Sequence, residues 1–176
     1  MKLSFVIPAY NEEKDIGACL GSILKEAADK SHDMEIIVVN NASTDKTGEI
    51  AQSFPGVKVV DEMHKGLSAA RHAGFLAASG DLIANIDADT MLTPGWIDKV
   101  FRAFSENSNL VAFSGPYIYY DLSRLVNWWV RVFYYLGFIG YLFNRYVFHK
   151  GAMLQGGNFV VKKSALKKVG GYNLDF

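Results

Sequence analysis

The chain has 176 residues, half of them hydrophobic, and Lys+Arg 18 balances Asp+Glu 18. This length suits one domain with a sizeable core, and the charge balance excludes a general basic field for gripping nucleic acid while leaving room for a local anion site. Cys19 is the only cysteine, which excludes an internal disulfide and a thiolate zinc cluster and suits an intracellular compartment.

The opening MKLSFVIPAYNEE has an apolar run too short for a signal-peptide core, and it meets acidic residues without a cleavage pattern. No segment offers the roughly 18 consecutive apolar residues of a membrane span. Leu3 to Pro8 reads as a first strand, and Ile16, Leu20, Ile23 and Leu24 mark a helical stripe after it. Met34 to Asn40 is a second strand, continuously apolar as expected when both faces are covered. STDKTGEIAQSF reads as a short helix capped by Ser43 or Thr44, and Val57 to Asp61 as a third strand. GLSAARHAGFLAAS predicts a helix with Ser68 near its start and Gly80 beyond its end, its small residues allowing close packing on a sheet. LIANID is the fourth strand. TPGWIDKVFRAF predicts a helix with Thr93 as cap, Pro94 at the first position and Ile97, Val100, Phe101 and Phe104 facing the core. LVAFSGPYIYY is a further strand, bent at Gly115-Pro116, and GGNFVVKKSALKKVGG closes with a strand and a basic helix.

This alternation predicts a three-layer α/β domain over residues 1–176 with a mainly parallel sheet. Ligands of such sheets bind at the carboxyl ends of the strands. The polar clusters AYNEE, NNASTD and DAD all fall there. If the fourth strand runs on through Asp89, its period of two puts Asn85, Asp87 and Asp89 on one face. Two neighbouring carboxylates oppose each other's ionisation unless a cation compensates them, and hard oxygen donors suit Mg²⁺ or Mn²⁺. A solvated turn is the competing reading.

Asn40 ends the second strand, and its amide offers the donor and acceptor that read a nucleobase edge. Ser43 and Asp45 read better as caps. Arg71 and the helix N-terminus suit a diphosphate; taken alone, Arg71 reads better as cover for the helix surface and Lys65 as a solvated loop charge. Gly156-Gly157 permits close approach of backbone to a ligand, and Asn158 could then bond a sugar hydroxyl; glycines at turns are the alternative. His64 and His72 have no metal-ligand spacing and read as structural or surface residues.

In their order, FVIPAYNEE, EIIVVNNASTDKT, KGLSAARHAG, IDADTMLTPGWI and GGNFVVKKSALKKVGGYN resemble the inverting family 2 glycosyltransferases of the GT-A fold. The likeness spans most of the chain apart from Pro116 to Gly156. It implies a nucleotide pocket lined by Pro8, Ala9, Tyr10 and Glu12, with Asn40 on the base and Lys65 and Arg71 near the diphosphate. Asp87 would lie near the ribose and Asp89 on the metal, with Ala88 between them. Gly157 and Asn158 would be on the acceptor side. The family usually has Asp in place of Asn40 and commonly Gly in place of Ala42, so the choice between UDP- and GDP-sugars stays open.

The implied reaction is attack of an acceptor hydroxyl or lipid phosphate on the anomeric carbon from the side opposite the diphosphate, with a carboxylate taking the proton. Relatives carry that base beyond the GGYN signature. Asp175 comes too early to match, so the resemblance implies a base beyond Phe176 and a chain that binds nucleotide but transfers sugar poorly. A sugar-phosphate nucleotidyltransferase shares the layered sheet but wants a Gly-rich loop after the first strand, and PAYNEE has no glycine. A dehydrogenase fails on the same ground. A noncatalytic binding or assembly module is the third reading.

Arg124 to Lys150 concentrates the aromatic residues. As one helix it would gather Asn127, Arg131, Arg145 and His149 on one side, with Trp128, Trp129 and several tyrosines elsewhere, a composition suited to a membrane surface. That reading favours a lipid-linked acceptor and a cytoplasmic protein peripheral to the inner face of the membrane. The alternative is a helix packed over one side of the sheet or in a homo-oligomer.

Overall fold

The computed structural model describes residues 1–28, 32–116, 123–148, 154 and 156–174. Its elements are β1 (Leu3–Ala9), α1 (Ile16–Ala27), β2 (Met34–Asn40), α2 (Thr47–Gln52), β3 (Val57–Asp61) and α3 (Leu67–Ala77), then β4 (Leu82–Ile86), α4 (Trp96–Glu106), β5 (Ala112–Ser114), α5 (Arg124–Val147), β6 (Asn158–Lys162) and α6 (Lys163–Lys168). The strands form one sheet in the order β3-β2-β1-β4-β6-β5. β1, β2, β3 and β4 run parallel, and β6 is antiparallel to both its neighbours. The expected three-layer, mainly parallel α/β architecture is therefore present.

Strand periodicity divides the core in two. Leu3, Phe5, Ile7, Ile36, Val38, Leu82, Ala84 and Ile86 enter one cluster with α1 and α4, where Phe5 meets Trp96 at 5.7 Å between ring centroids. Val6, Ile37, Val39, Ile83 and Val161 enter the other, against α3. Both faces are covered, so every residue of β1 and β4 is buried.

Helix starts depart from the sequence reading. Ser43 and Thr44 do not cap α2, which begins at Thr47 behind Lys46. Instead Asp45 accepts from the Thr47 amide and hydroxyl. Thr93 does not cap α4 with its side chain; Gly95, at φ 77°, precedes Trp96. Ser68 lies inside α3, behind Gly66. β5 is short, and the expected extension over 117–120 lies outside the described residues, as do His149 and Asp175. α5 runs as one helix through Gly137 and Gly140, and none of its described side chains is buried.

Two glycines let α3 and its exit lie close on β1. A Cβ at Gly74 would fall 2.2 Å from Val6 Cγ1 and 3.2 Å from Val39 Cγ2, and one at Gly80 would meet Lys2 O at 2.8 Å. Alanine at position 74 gains about 1 kcal/mol of helix propensity, whereas overpacking costs roughly 1–3 kcal/mol. Val6 is β-branched and cannot swing aside cheaply. Gly74→Ala should therefore lower the denaturation midpoint, and adding Val6→Ala should remove the clash and recover part of the loss. A midpoint raised by Gly74→Ala alone would contradict this packing.

Candidate functional site

The sheet order places β2 and β4 on opposite sides of β1, making the carboxyl ends of β1 and β4 the point where the topology reverses. Ligand crevices of open α/β sheets form there. Behind β1 follow Tyr10, Asn11 and Glu12; behind β4 follow Asp87, Ala88 and Asp89. β4 ends at Ile86, earlier than the face argument assumed, and a turn closes with Thr90 N–H donating to Asp87 O at 3.0 Å. The two acids thus leave the strand on a turn, not a continued ladder.

Their surroundings differ. Asp87 Oδ1 accepts from Arg71 Nη2 at 3.3 Å, and the same nitrogen donates to Gly156 O at 2.6 Å. The Asp87 backbone N–H donates to Gly157 O at 3.1 Å, and Ile86 pairs with Asn158 in the sheet. Arg71, Asp87, Gly157 and Asn158 are therefore brought together. Asp89 has only the Thr90 hydroxyl near it, at 3.5 Å, among the contacts of the described residues. Ala88 is buried in the core between the acids. Pro8 and Ala9 are likewise buried within β1 and do not present open side chains, so the first exposed residue at that strand end is Tyr10.

The loop after β1 is stitched to the loop after β2. Asn11 stands at φ 57°, its amide donates to Ser43 Oγ, and its Oδ1 accepts from Thr44 N. Glu12 N–H donates to Thr47 Oγ1 at 2.8 Å and Glu13 N–H to Asp45 Oδ2 at 3.1 Å. Tyr10 is joined to Lys65, whose Nζ donates to the phenol oxygen at 2.9 Å and lies 4.7 Å from the ring centroid.

Asn40 uses Nδ2 on Asp61 Oδ1 at 2.8 Å, while its buried Oδ1 has no partner among the described residues. Any base-edge contact here involves Asp61 as well, the last residue of β3, which the β2–β3 register sets opposite Asn40. Asn41 also went unassigned. It is buried, donates to Glu62 O and His64 O, and accepts from Gly66 N–H, thereby shaping the loop that carries Lys65. The doubled NN after an apolar strand was the available signal.

The family model described as "Glycosyl transferase family 2" matches residues 4–170. The chain is 35% identical over 132 residues to the dolichol-phosphate mannosyltransferase of Pyrococcus furiosus, covering 73% of this chain and 36% of that protein. Among solved structures it resembles the mannosyltransferase PcManGT from Pyrobaculum calidifontis in complex with GDP-Man and Mn²⁺, at TM-score 0.73 and 21% identity over 98% of this chain and 48% of that one. S. aureus TarS in complex with UDP-GlcNAc gives TM-score 0.68 and 20% identity, again over 98% of this chain and 48% of that one. The chain spans less than half the length of each of these proteins. The structural likenesses establish the GT-A fold.

Electrostatics mark the same crevice. Glu12 titrates above the ordinary glutamate range, first through burial and then through the negative charges of Asp89, Asp15, Asp45 and Asp87. With its folded pKa raised, the folded state binds more protons than the unfolded one between the ordinary and the raised value. Stability therefore falls as pH rises through that window, and the penalty is complete above it. Glu12→Gln should raise the melting temperature at pH 7, with the gain shrinking as pH falls through the raised value and gone below the ordinary glutamate pKa. A gain independent of pH, or a loss at pH 7, would show that the carboxylate carries no such repulsion.

Proposed function

The chain belongs to glycosyl transferase family 2, and we propose that it holds a nucleotide-diphosphate-sugar in the β1–β4 crevice and passes the sugar to an acceptor with inversion, aided by a divalent cation. The observation that carries this reading is the division of labour in the acid pair. Asp87 is tied to Arg71, whereas Asp89 has no cationic partner among the contacts of the described residues, and its charge contributes to raising Glu12. Such a site gains from a cation.

The donor set fits Mg²⁺ or Mn²⁺, with Asp89 as the principal holder and Asp87 beside it. Among the described residues no group of three or more His, Cys, Asp or Glu could hold an ion by itself. Water and donor oxygens would complete the shell, as is usual for Mg²⁺. A bound ion would offset the charge that develops on the departing diphosphate. The fold neighbour in complex with GDP-Man and Mn²⁺ supports this assignment.

The chain's own groups do the positioning. Arg71 and Lys65 supply cationic donors for the phosphates, and the Asn40–Asp61 pair faces the base. UDP and GDP donors are both represented among the fold neighbours. Gly157 and Asn158, joined to the end of β4 by the Asp87 N–H bond and the β4–β6 pairing, would receive the acceptor. The proton of the attacking hydroxyl goes to a carboxylate base.

For the acceptor, α5 points to lipid. Arg124, Arg131 and Arg145 are its only charges, with no acid to balance them. Trp128, Trp129, Phe133, Tyr135 and Phe138 are all more than half exposed. No helix among the described residues is long and apolar enough to cross a membrane. An in-plane helix on an anionic bilayer suits this composition, because its rings enter the interface while its arginines meet the headgroups. A lipid-linked acceptor, of the kind named for the Pyrococcus furiosus relative, follows.

Calorimetry with UDP- and GDP-sugars should show binding that strengthens with Mn²⁺. Asp89→Asn should abolish the metal dependence and weaken binding in Mn²⁺ by roughly tenfold or more, the scale of a lost charged contact. Equal affinity with and without the ion would overturn the metal assignment. In flotation assays, vesicles containing anionic phosphatidylglycerol should carry the chain upward, and the Arg131→Glu/Arg145→Glu double variant should remain below. No association of the parent chain at low salt would refute the bilayer assignment.

A further inference from the structure

A buried polar group behind the Arg71–Asp87 pair has no role in the assignments above. Asn85 lies in β4, 1% exposed, and shares a sheet face with Ile83. Neither its Oδ1 nor its Nδ2 has a hydrogen-bond partner among the described residues, and the same holds for Arg71 Nε and Tyr172 Oη.

These orphaned atoms sit together. Asn85 pairs in register with Phe159, and the Arg71 guanidinium lies 5.6 Å from the centroid of that ring. Burial pushes the Tyr172 hydroxyl up to about 12, while the polar approach of the Asn85 side chain and the charge of Arg71 pull the other way, which places both beside the phenol. The phenol therefore stays neutral at physiological pH, able to donate and to accept. Tyr172 is delivered by Gly170 and Gly171, at φ 86° and 90°. Its N–H donates to His72 Nδ1 at 3.4 Å, and a Cβ on Gly171 would lie 2.8 Å from the His72 ring.

Packing does not account for Asn85. A buried amide with neither end bonded is costly, whereas an apolar side chain of the same shape would be neutral or stabilising. Unmade polar groups that persist in a core commonly serve function at the expense of stability. Here they surround an arginine whose Nη2 already serves Asp87 and Gly156.

We propose that Asn85 and Tyr172 are positioning residues that accept the Nε–H of Arg71 when the donor is bound, turning the outer guanidinium nitrogens toward its diphosphate. A guanidinium held at Nε presents its two terminal nitrogens in the fork that suits phosphate oxygens. The inference rests on the reading of Arg71 as a diphosphate ligand.

The test compares affinities for UDP and GDP with those for uridine and guanosine, together with melting temperatures, in the full chain. The variants are Asn85→Leu, Tyr172→Phe, Arg71→Ala and the double variant Arg71→Ala/Tyr172→Phe. Asn85→Leu should melt at or above the parent temperature yet bind the diphosphate about tenfold more weakly, the scale of one lost charged hydrogen bond. Nucleoside affinity should not move. Tyr172→Phe should weaken diphosphate binding alone, and adding it to Arg71→Ala should change nothing further. Should Asn85→Leu fail to fold, Tyr172→Phe decides, since it removes a single oxygen. Arg71→Ala losing diphosphate affinity while both partner variants keep it would overturn this inference and leave the site reading intact. Arg71→Ala binding diphosphate like the parent would overturn both.

Discussion

The site depends on β1 and β4 lying side by side in parallel, Leu3 opposite Leu82 through Val6 opposite Asn85. That pairing brings Glu12 and the two aspartates to one crevice, and their charges oppose each other there. Nothing local would assemble them, because Glu12 and Asp87 lie 75 positions apart along the chain. The sheet can impose the arrangement because both strands are buried on both faces, so separating them would expose two apolar cores at once. The repulsion is visible below the crevice as well. Burial, then Asp89 and Asp87, pushes the Cys19 thiol up to about 12, leaving it a neutral donor to Asp87 O at 3.7 Å.

The loops over the crevice are held by polar bonds and not by apolar packing. Asn11 and Ala42 both stand in the left-handed region, at φ 57° and 54°. For Asn the side chain compensates by bonding Thr44 N–H. Ala42 has no such group, and the conformation costs it about 1–2 kcal/mol. A glycine at this position would avoid that cost. The strain at Ala42 shows that the stitching by Asn11, Thr44 and Thr47 is strong enough to hold a strained residue in place.

The sequence made the strands legible in two ways: Met34–Asn40 carries the apolar run of a strand covered on both faces, and the edge strand Val57–Asp61 shows through its three valines; both match the structure end for end. Helix starts were harder to read, since an Asp45 turn and a left-handed Gly95 override the nearby Ser, Thr and Pro signals. At the site, charge and position singled out Arg71, Asp87 and Asp89. Composition could not reveal that Pro8, Ala9 and Ala88 are buried, nor that Asp61 engages Asn40, because those facts arise from sheet order and strand length. Asn85 stood in plain view on the right face. Only the structure shows that its amide is left unbonded.

The aromatic helix obeys a different rule from the rest. Each face of the sheet already has its cover, α1 and α4 on one side and α3 on the other, so α5 has no core left to complete. Twenty-four residues at 1.5 Å each make it about 36 Å long, and its apolar side chains remain exposed around it. At roughly 25 cal/mol for each Å² kept in water, a surface of that kind opposes staying uncovered. The folding unit and the aromatic surface are thus separable demands on one sequence. The α/β layers fix the crevice, and the helix, stabilised internally by contacts such as Arg145 to Tyr141 at 2.6 Å, keeps its apolar surface outside both cores.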